Sequence, residues 1–392
     1  MINIRTLDQL SLNPGARVFY RVDYNVPLDG TTISDATRIE ETLPTLRMLR
    51  ERGAALVIAS HLGRPKGERK EKYSLEPVRE KLAELLGADV QWADDCVGID
   101  TSRLRPDEVL LVENLRFHAG EEKNDRAFAE QLRRLADYYV NDAFGACHRA
   151  HASIDALPRL FPKENTAGGL LLAKELEFLQ KVTSVSDRPF VALLGGAKIA
   201  GKIEPLEALV NLADQVLIGG GMANTFLAAR GVPMGGSLVD NDSLDVARRI
   251  MEGRHRAEVV LPDDLVVADS LDAPTEIAEV DVASVLNEKQ KAFDIGPKTI
   301  AKYQNALKTA KTIFWNGPMG VFEKEEFAKG TMAMARAVAE ADAITVVGGG
   351  ESVEAVKASG FADRITHIST GGGASLEFIS GATLPGVEVL RA

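Results

Sequence analysis

Residues 343–377 read AITVVGGGESVEAVKASGFADRITHISTGGGASLE, and this stretch decides the fold. The apolar runs 344–347 and 365–368 are short and rich in β-branched residues, as strands buried on both faces are. Each run leads into three glycines, at 348–350 and at 371–373, and a helix-compatible segment follows each. Glycines at a strand-to-helix turn let another group approach the backbone closely. They also leave free N–H groups pointing outward at a helix start, which suits phosphate. Tight turns that need glycine for steric reasons give the same pattern. Two such turns at neighbouring strand ends point instead to one polyanionic ligand touched twice.

Moving outward, the same alternation fills the chain. In the first half, strand patterns at 16–22, 54–60, 89–92, 108–113 and 138–141 alternate with helix patterns at 34–52, 75–86 and 125–135. In the second, strands at 190–194, 216–218, 258–261 and 312–315 alternate with helices at 204–212, 222–230, 242–252, 298–309 and 325–340. Segments 264–268 and 275–280 read as a paired antiparallel exception. Strict alternation predicts an α/β fold of two doubly wound, mostly parallel sheets. Between the halves, 166–183 carries Leu172, Leu176 and Leu179 on one helical face, so it reads as a linking helix. The expected division is 1–165, a linking helix at 166–184, then 185–377, with a tail at 378–392.

The 392 residues suffice for two cores, and 45% apolar with 26% charged is ordinary for a soluble globular chain. No apolar run approaches the roughly 18 residues of a membrane span, and MINIRTLDQL lacks a signal-peptide pattern. Two cysteines, Cys96 and Cys147, make no disulfide framework, so a cytoplasmic location is expected. A net charge of −11 argues against nucleic-acid binding. Yet about two-thirds of the arginines precede residue 161, which suits a small-anion site in that half.

In open α/β sheets, ligands sit beyond the carboxyl ends of the strands. In the first half the loops there carry Asp23, Asn25, His61, Arg64, Arg116, His118, His148 and Arg149. Arginines are suited to clamping phosphate or carboxylate, and Arg38 at a helix start joins them. In the second half the loops carry glycine runs, Lys198, Lys202 and Asn316. Residues 196–202 nearly spell a phosphate-loop motif, but Ile203 stands where a magnesium-holding hydroxyl belongs. A lysine there still neutralises a transferring phosphoryl group. Glu351 beside a phosphate-binding turn calls for a cation between the two, and Glu323 beyond a strand suits a ribose hydroxyl pair. A solvated surface role is the alternative for each. A two-substrate enzyme is the expectation.

Taken in order, RVDYNVP (21–27), SHLGRP (60–65), ENLRFH (113–118), NDAFGACHRAHAS (141–153), GGAKI (195–199), GGGMANTF (219–226), WNGPMGVFE (315–323) and STGGGASLE (369–377) resemble the phosphoglycerate kinase family across nearly the whole chain. The resemblance implies two Rossmann-like domains joined by a helix and hinge. The first would bind 3-phosphoglycerate or 1,3-bisphosphoglycerate, and the second ATP or ADP with Mg2+. It also implies a monomer and a tail that returns to the first domain. By motif, Asp23 and Asn25 resemble ligands of the glycerate end. His61, Leu62, Gly63, Arg64, Arg116 and Arg149 resemble the rest of the anion pocket. Arg38 and Lys198 resemble the residues that follow the transferring group, with Gly372 and Gly373 as its amide cradle. Lys202, Gly296, Glu323, Gly349, Gly350, Glu351 and Ser352 resemble nucleotide contacts. Two positions depart from the family's usual pattern. Glu351, implied as the metal ligand, replaces an aspartate, and Tyr24 replaces a commoner phenylalanine.

Overall fold

A computed structural model describes residues 3–185, 187–284 and 286–392. Two compact units divide the chain, Met1–Glu177 with Thr383–Ala392, and Phe178–Ala382.

The first unit is built on a six-stranded sheet, in the order Gln91–Ala93, Val109–Val112, Ala55–Ala59, Arg17–Arg21, Tyr138–Asn141, Thr166–Gly168. Every neighbouring pair is parallel. Ala55–Ala59, Val109–Val112 and Tyr138–Asn141 are buried along their whole length, as strands covered by helices on both faces must be. Asp125 caps the helix Arg126–Arg133 by accepting from the Phe128 amide at 2.8 Å, and Gly87 ends Glu76–Leu86 at φ +66°. The tail belongs to this unit. The Leu390 carbonyl accepts from the Arg5 amide at 3.0 Å, and the Gly386 amide donates to the Cys147 carbonyl at 3.0 Å.

The second unit repeats the plan with the order Glu258–Val260, Gln215–Ile218, Phe190–Leu194, Thr312–Asn316, Ile344–Gly348, His367–Ile368, again parallel throughout. Counted along the chain this is 3-2-1-4-5-6, with the order reversing between Phe190–Leu194 and Thr312–Asn316. Ligands of open α/β sheets gather beyond such a reversal. The predicted antiparallel pair forms as Asp264–Ala268 against Ile277–Asp281.

Several elements differ from expectation. The helix read over 34–52 is two, Thr37–Glu40 and Leu43–Glu51. Pro44 has no N–H to donate and its ring crowds the carbonyl four residues back, so it begins a helix rather than continuing one. The linking helix starts later, at Leu170, and ends at Ser184, because Thr166–Gly168 is the edge strand of the first sheet. Asp142 anchors its first turn, accepting from the Leu172 amide at 2.9 Å. The compact units divide between Glu177 and Phe178, inside this helix. A third antiparallel strand, Lys291–Ile295, also pairs with Asp264–Ala268. The run 365–368 yields only His367–Ile368, because a tight turn over Ala362–Arg364 takes the Ile365 amide.

Candidate functional site

In the first unit, the carboxyl ends of four parallel strands deliver Asp23 and Asn25, His61 to Arg64, Arg116, and Arg149. Asp23 is the hub. One carboxylate oxygen lies 2.7 Å from Arg38 Nη1, and the other accepts from the Asn25 amide at 3.1 Å and lies 3.8 Å from His61 Nε2. Asn25 Oδ1 then accepts from the Gly63 amide at 2.8 Å, and the Gly63 carbonyl from Arg116 Nη1 at 2.8 Å. Gly63 sits at φ +62°, where an added Cβ would stand 2.3 Å from the Tyr73 ring, so only glycine fits.

Arginine charge and burial together set the protonation states in this cluster. Burial disfavours the Asp23 charge, but the guanidinium groups of Arg38 and Arg21 and the Asn25 amide outweigh it and hold the carboxyl well below the usual carboxylate range. Burial pushes His61 down and Asp23 pulls it back up, but Arg21, Arg116 and Arg38 add to the effect of burial and the ring is neutral. His151 is lowered to about 3 by burial, Arg116, Arg21 and Arg149. Arg116 is itself lowered to about 10 by burial and by Arg21. Its buried Nε has no hydrogen-bond partner among the described residues, though Glu122 lies 3.7 Å away. A buried donor left unmet is costly unless something else meets it.

Arg149 is exposed and donates to His148 Nε2 at 3.0 Å, while Arg64 is exposed. Leu62 is 4% exposed and belongs to the core, and its carbonyl accepts from Asn114 Nδ2 at 2.7 Å. Arg21 escaped the sequence reading. It is fully buried, donates from Nε to Ser153 Oγ at 2.8 Å, and lies with Nη2 3.2 Å from His61 Nδ1. An arginine only donates, so His61 Nδ1 is the acceptor and the ring proton sits on Nε2, facing Asp23. The signal was available: a guanidinium at the carboxyl end of a strand whose middle residues, 18–20, are all buried has to serve something.

In the second unit, two cavities lie beyond the strand ends. One, of about 460 Å³, is lined by apolar groups such as Leu238, Leu265, Phe293 and Val321, with Asn224, Asp294, Glu323 and Glu351 among its polar ones. The other, of about 340 Å³, is lined by Lys202, Asn316, Gly349, Gly350, Glu351, Ser352, Gly372 and Gly373. Glu351 borders both. Lys202 Nζ donates to the Gly195 carbonyl at 2.9 Å, and burial lowers its pKa against the pull of Glu351. Asp294 is pushed up to about 7 by burial, although it accepts from the Ile295 and Gly330 amides. Lys198 is exposed and lines neither cavity. Nor does Gly296: it is buried, and an added Cβ would meet the Asp264 carboxyl carbon at 2.3 Å.

The glycine runs now separate by cause. At 219–221 the turns interlock. A Cβ on Gly219 would stand 2.4 Å from Met319 Sδ, and one on Gly221 2.5 Å from the Ala197 carbonyl oxygen. At Gly350 and Gly373, each the first residue of its helix, a Cβ would meet nothing within 4 Å, and neither has a positive φ. The first run is glycine because protein is in the way. The other two positions have no internal reason to be glycine.

Compared with known proteins, the family model for phosphoglycerate kinase matches residues 7–382. The chain belongs to the phosphoglycerate kinase family. Membership makes it a phosphotransferase. It is 51% identical to the phosphoglycerate kinase of Moorella thermoacetica over 393 aligned residues, covering 98% of each chain. Among solved structures, phosphoglycerate kinase from Coxiella burnetii superposes with a TM-score of 0.89 at 37% identity, over 99% of both chains. The Pyrococcus horikoshii OT3 enzyme gives 0.87 at 34% identity, over 99% of this chain and 98% of that one. The family's two-domain α/β architecture is thus this chain's as well.

Proposed function

We propose that the chain catalyses reversible phosphoryl transfer between 1,3-bisphosphoglycerate and ADP, giving 3-phosphoglycerate and ATP. The observation that carries this reading is the open space over Gly350 and Gly373, glycines whose only evident use is close approach of a phosphate chain to the amides of a helix start. The arginine field of the first unit supports the other half of the reading, a small doubly anionic co-substrate.

In this reading Asp23 and Asn25 take the hydroxyl and carboxyl end of the glycerate. His61, Gly63, Arg64, Arg116 and Arg149 hold its phosphate, and the unmet Arg116 Nε finds its partner there. Leu62 and Gly296 contribute packing that shapes the walls. Arg38 and Lys198 neutralise the phosphoryl group in transfer, with the amides at Gly372 and Gly373. Lys202, Glu323, Gly349, Gly350 and Ser352 take the nucleotide. The acceptor, an ADP phosphate oxygen or a carboxylate, is already ionised, so no general base is needed and catalysis is positioning plus charge neutralisation. The two substrate sites have to meet during turnover, so one unit closes on the other, which keeps water from the acyl phosphate.

The residues present fit Mg2+ delivered with the nucleotide. Glu351 is a single hard carboxylate beside the glycine turn, and a magnesium ion commonly takes one or two protein carboxylates plus phosphate oxygens. Bound there, the ion would shield the phosphate charges from one another. The reaction suits a cytoplasmic monomer acting on small molecules. No helix among the described residues is long and apolar enough to cross a membrane.

The test is ATP consumption with and without 3-phosphoglycerate, with the acyl phosphate trapped by hydroxylamine. Consumption that depends on 3-phosphoglycerate and yields the hydroxamate is expected. Hydrolysis of ATP at the same rate without it would replace this reading with that of a simple nucleotide hydrolase.

A further inference from the structure

Outside the site already described, one group of side chains has the make-up of a metal centre. Asp95, Cys96 and His118 offer a carboxylate oxygen, a thiol sulfur and an imidazole nitrogen, all within 4.8 Å of one another. Among the described residues it is the one place where three His, Cys, Asp or Glu ligand atoms converge in this way. We propose that Asp95, Cys96 and His118 bind a thiophilic divalent metal ion of the Zn2+ type, at a site separate from that of the nucleotide's magnesium.

The fold brings the three together. The strands Gln91–Ala93 and Val109–Val112 are parallel neighbours, paired Trp92 with Leu111 and Ala93 with Val112. Asp95 and Cys96 follow the first within three residues, and His118 lies in the loop after the second. His118 is held in place. Its ring stacks on Phe128 at 5.2 Å between centroids, and its Nε2 lies 2.7 Å from Asp95 Oδ1. That oxygen also accepts from the Cys96 amide at 2.6 Å, which sets the turn presenting the sulfur. Cys96 is 1% exposed, whereas the side chains of His118 and Asp95 are 32% and 50% exposed. The sulfur forms the floor, and the nitrogen and carboxylate form an open side where water can complete a tetrahedron.

The donor set selects the ion. Sulfur and imidazole favour Zn2+ over Mg2+, which prefers oxygen ligands throughout. Ligand atoms in a tetrahedral zinc site with bonds of about 2.0–2.3 Å stand roughly 3.3–3.8 Å apart, so closing the site takes about 1 Å of side-chain movement. One thiolate and one carboxylate balance the charge of the ion. Binding releases the Cys96 proton to solvent. It also exchanges the contact of His118 Nε2 with Asp95 for a bond to the metal, with the ring proton on Nδ1. Cys147, the only other cysteine, is surrounded differently: its thiol donates to the Ala143 carbonyl at 3.4 Å and lies 3.5 Å from Asn141 Nδ2.

Cobalt(II) titration of the full-length protein, with Mg2+ present in excess, tests the site without recourse to activity. The wild type is expected to take up one equivalent with a thiolate-to-cobalt charge-transfer band and the intense visible bands of a tetrahedral ion. Equimolar Zn2+ should then bleach both. Cys147→Ser should keep the charge-transfer band and Cys96→Ser lose it. His118→Gln, at a half-exposed position that tolerates change, should weaken cobalt affinity by at least about tenfold, as loss of one ligand does. Absence of the charge-transfer band in the wild type, or its survival in Cys96→Ser, overturns the proposal. So does unaltered cobalt affinity in His118→Gln.

Discussion

The two units share a doubly wound plan yet build their anion sites from different materials. The first uses side-chain charge: Arg21, Arg38, Arg116 and Arg149 gather there, and their charge adds to the burial that keeps His61 and His151 neutral. The second uses backbone: helix starts at Gly350 and Gly373, with the half-buried Lys202 nearby. Charged side chains can reach around a small molecule and meet both of its ends, as the proposed function requires of the first unit. Backbone amides are fixed by the fold and suit a chain of phosphates that always enters the same way. Under the proposed function, the difference teaches that one architecture can meet an anion with either side chains or backbone, whichever matches the shape of the ligand.

That contrast can be broken most forcefully at the transferring group. Arg38→Ala and Lys198→Ala are each expected to lower kcat by about 10²–10³ at saturating substrates, with nucleotide binding little changed. Lys198 is the sharper of the two, because it is exposed and lines neither cavity of its unit. A kcat near wild type for Lys198→Ala would remove it from the chemistry and leave Lys202 as that unit's cation.

The backbone half of the comparison is tested by a pair of alanines. Gly350→Ala meets no protein atom and should hold or raise Tm, while kcat/KM for ATP falls by roughly 10- to 100-fold through a clash with ligand. Gly221→Ala meets the Ala197 carbonyl and should instead destabilise by about 1–3 kcal/mol. If both variants lose stability alike, the two kinds of glycine run are not distinct.

Acidification should act on the two units with opposite sign. His151 titrates near 3 in the folded protein and about 6.5 unfolded, so the unfolded chain binds its proton first and stability is lost as pH falls below about 6.5. Asp294 titrates near 7 folded and about 3.9 unfolded, so its contribution is full at low pH and is lost as pH rises through 7. Between pH 7 and pH 5 each amounts to on the order of 2 kcal/mol. Hydrogen exchange resolved to each unit should show the first loosening and the second tightening by these shares. His151→Gln and Asp294→Asn should each flatten the trend in their own unit only.

The smallest expected effect is at the metal. Glu351→Asp shortens a side chain that borders both cavities, and should shift the ratio of Mg2+- to Mn2+-supported activity by only a few fold. Identical metal dependence in the two proteins would count against Glu351 as a ligand.

Much of this is legible in the sequence, and for definite reasons. Parallel strands buried on both faces are nearly pure apolar runs, so 138–141 and 190–194 could be bounded to the residue. Where a run was short or polar the pattern failed. Thr166–Gly168 was absorbed into the linking helix, and Lys291–Ile295 passed as loop. Pro44 marks the break in 34–52, a boundary that hydrophobic periodicity alone overrode. At the site, residue type pointed to the arginines and lysines but could not say which lysine is inward: Lys202 is half-buried and donates to the Gly195 carbonyl, and Lys198 is exposed.

The glycine turns of 343–377 mark the limit between the two kinds of knowledge. The sequence by itself determined that strands would end in glycine there, since only the local pattern of β-branched run, glycine and helix is needed for that. It determined the α/β class and the family for the same reason, because both live in short contiguous motifs. Whether a given glycine is there for packing or for a ligand was decided only by the tertiary structure. Met319 and Ala197 come from distant points of the chain to fill the space at Gly219 and Gly221, and nothing comes to fill it at Gly350 and Gly373. The pairing of Arg21 with His61, and of Cys96 with His118, has the same origin. Strand order sets which loops are neighbours, and strand order is a property of the folded sheet.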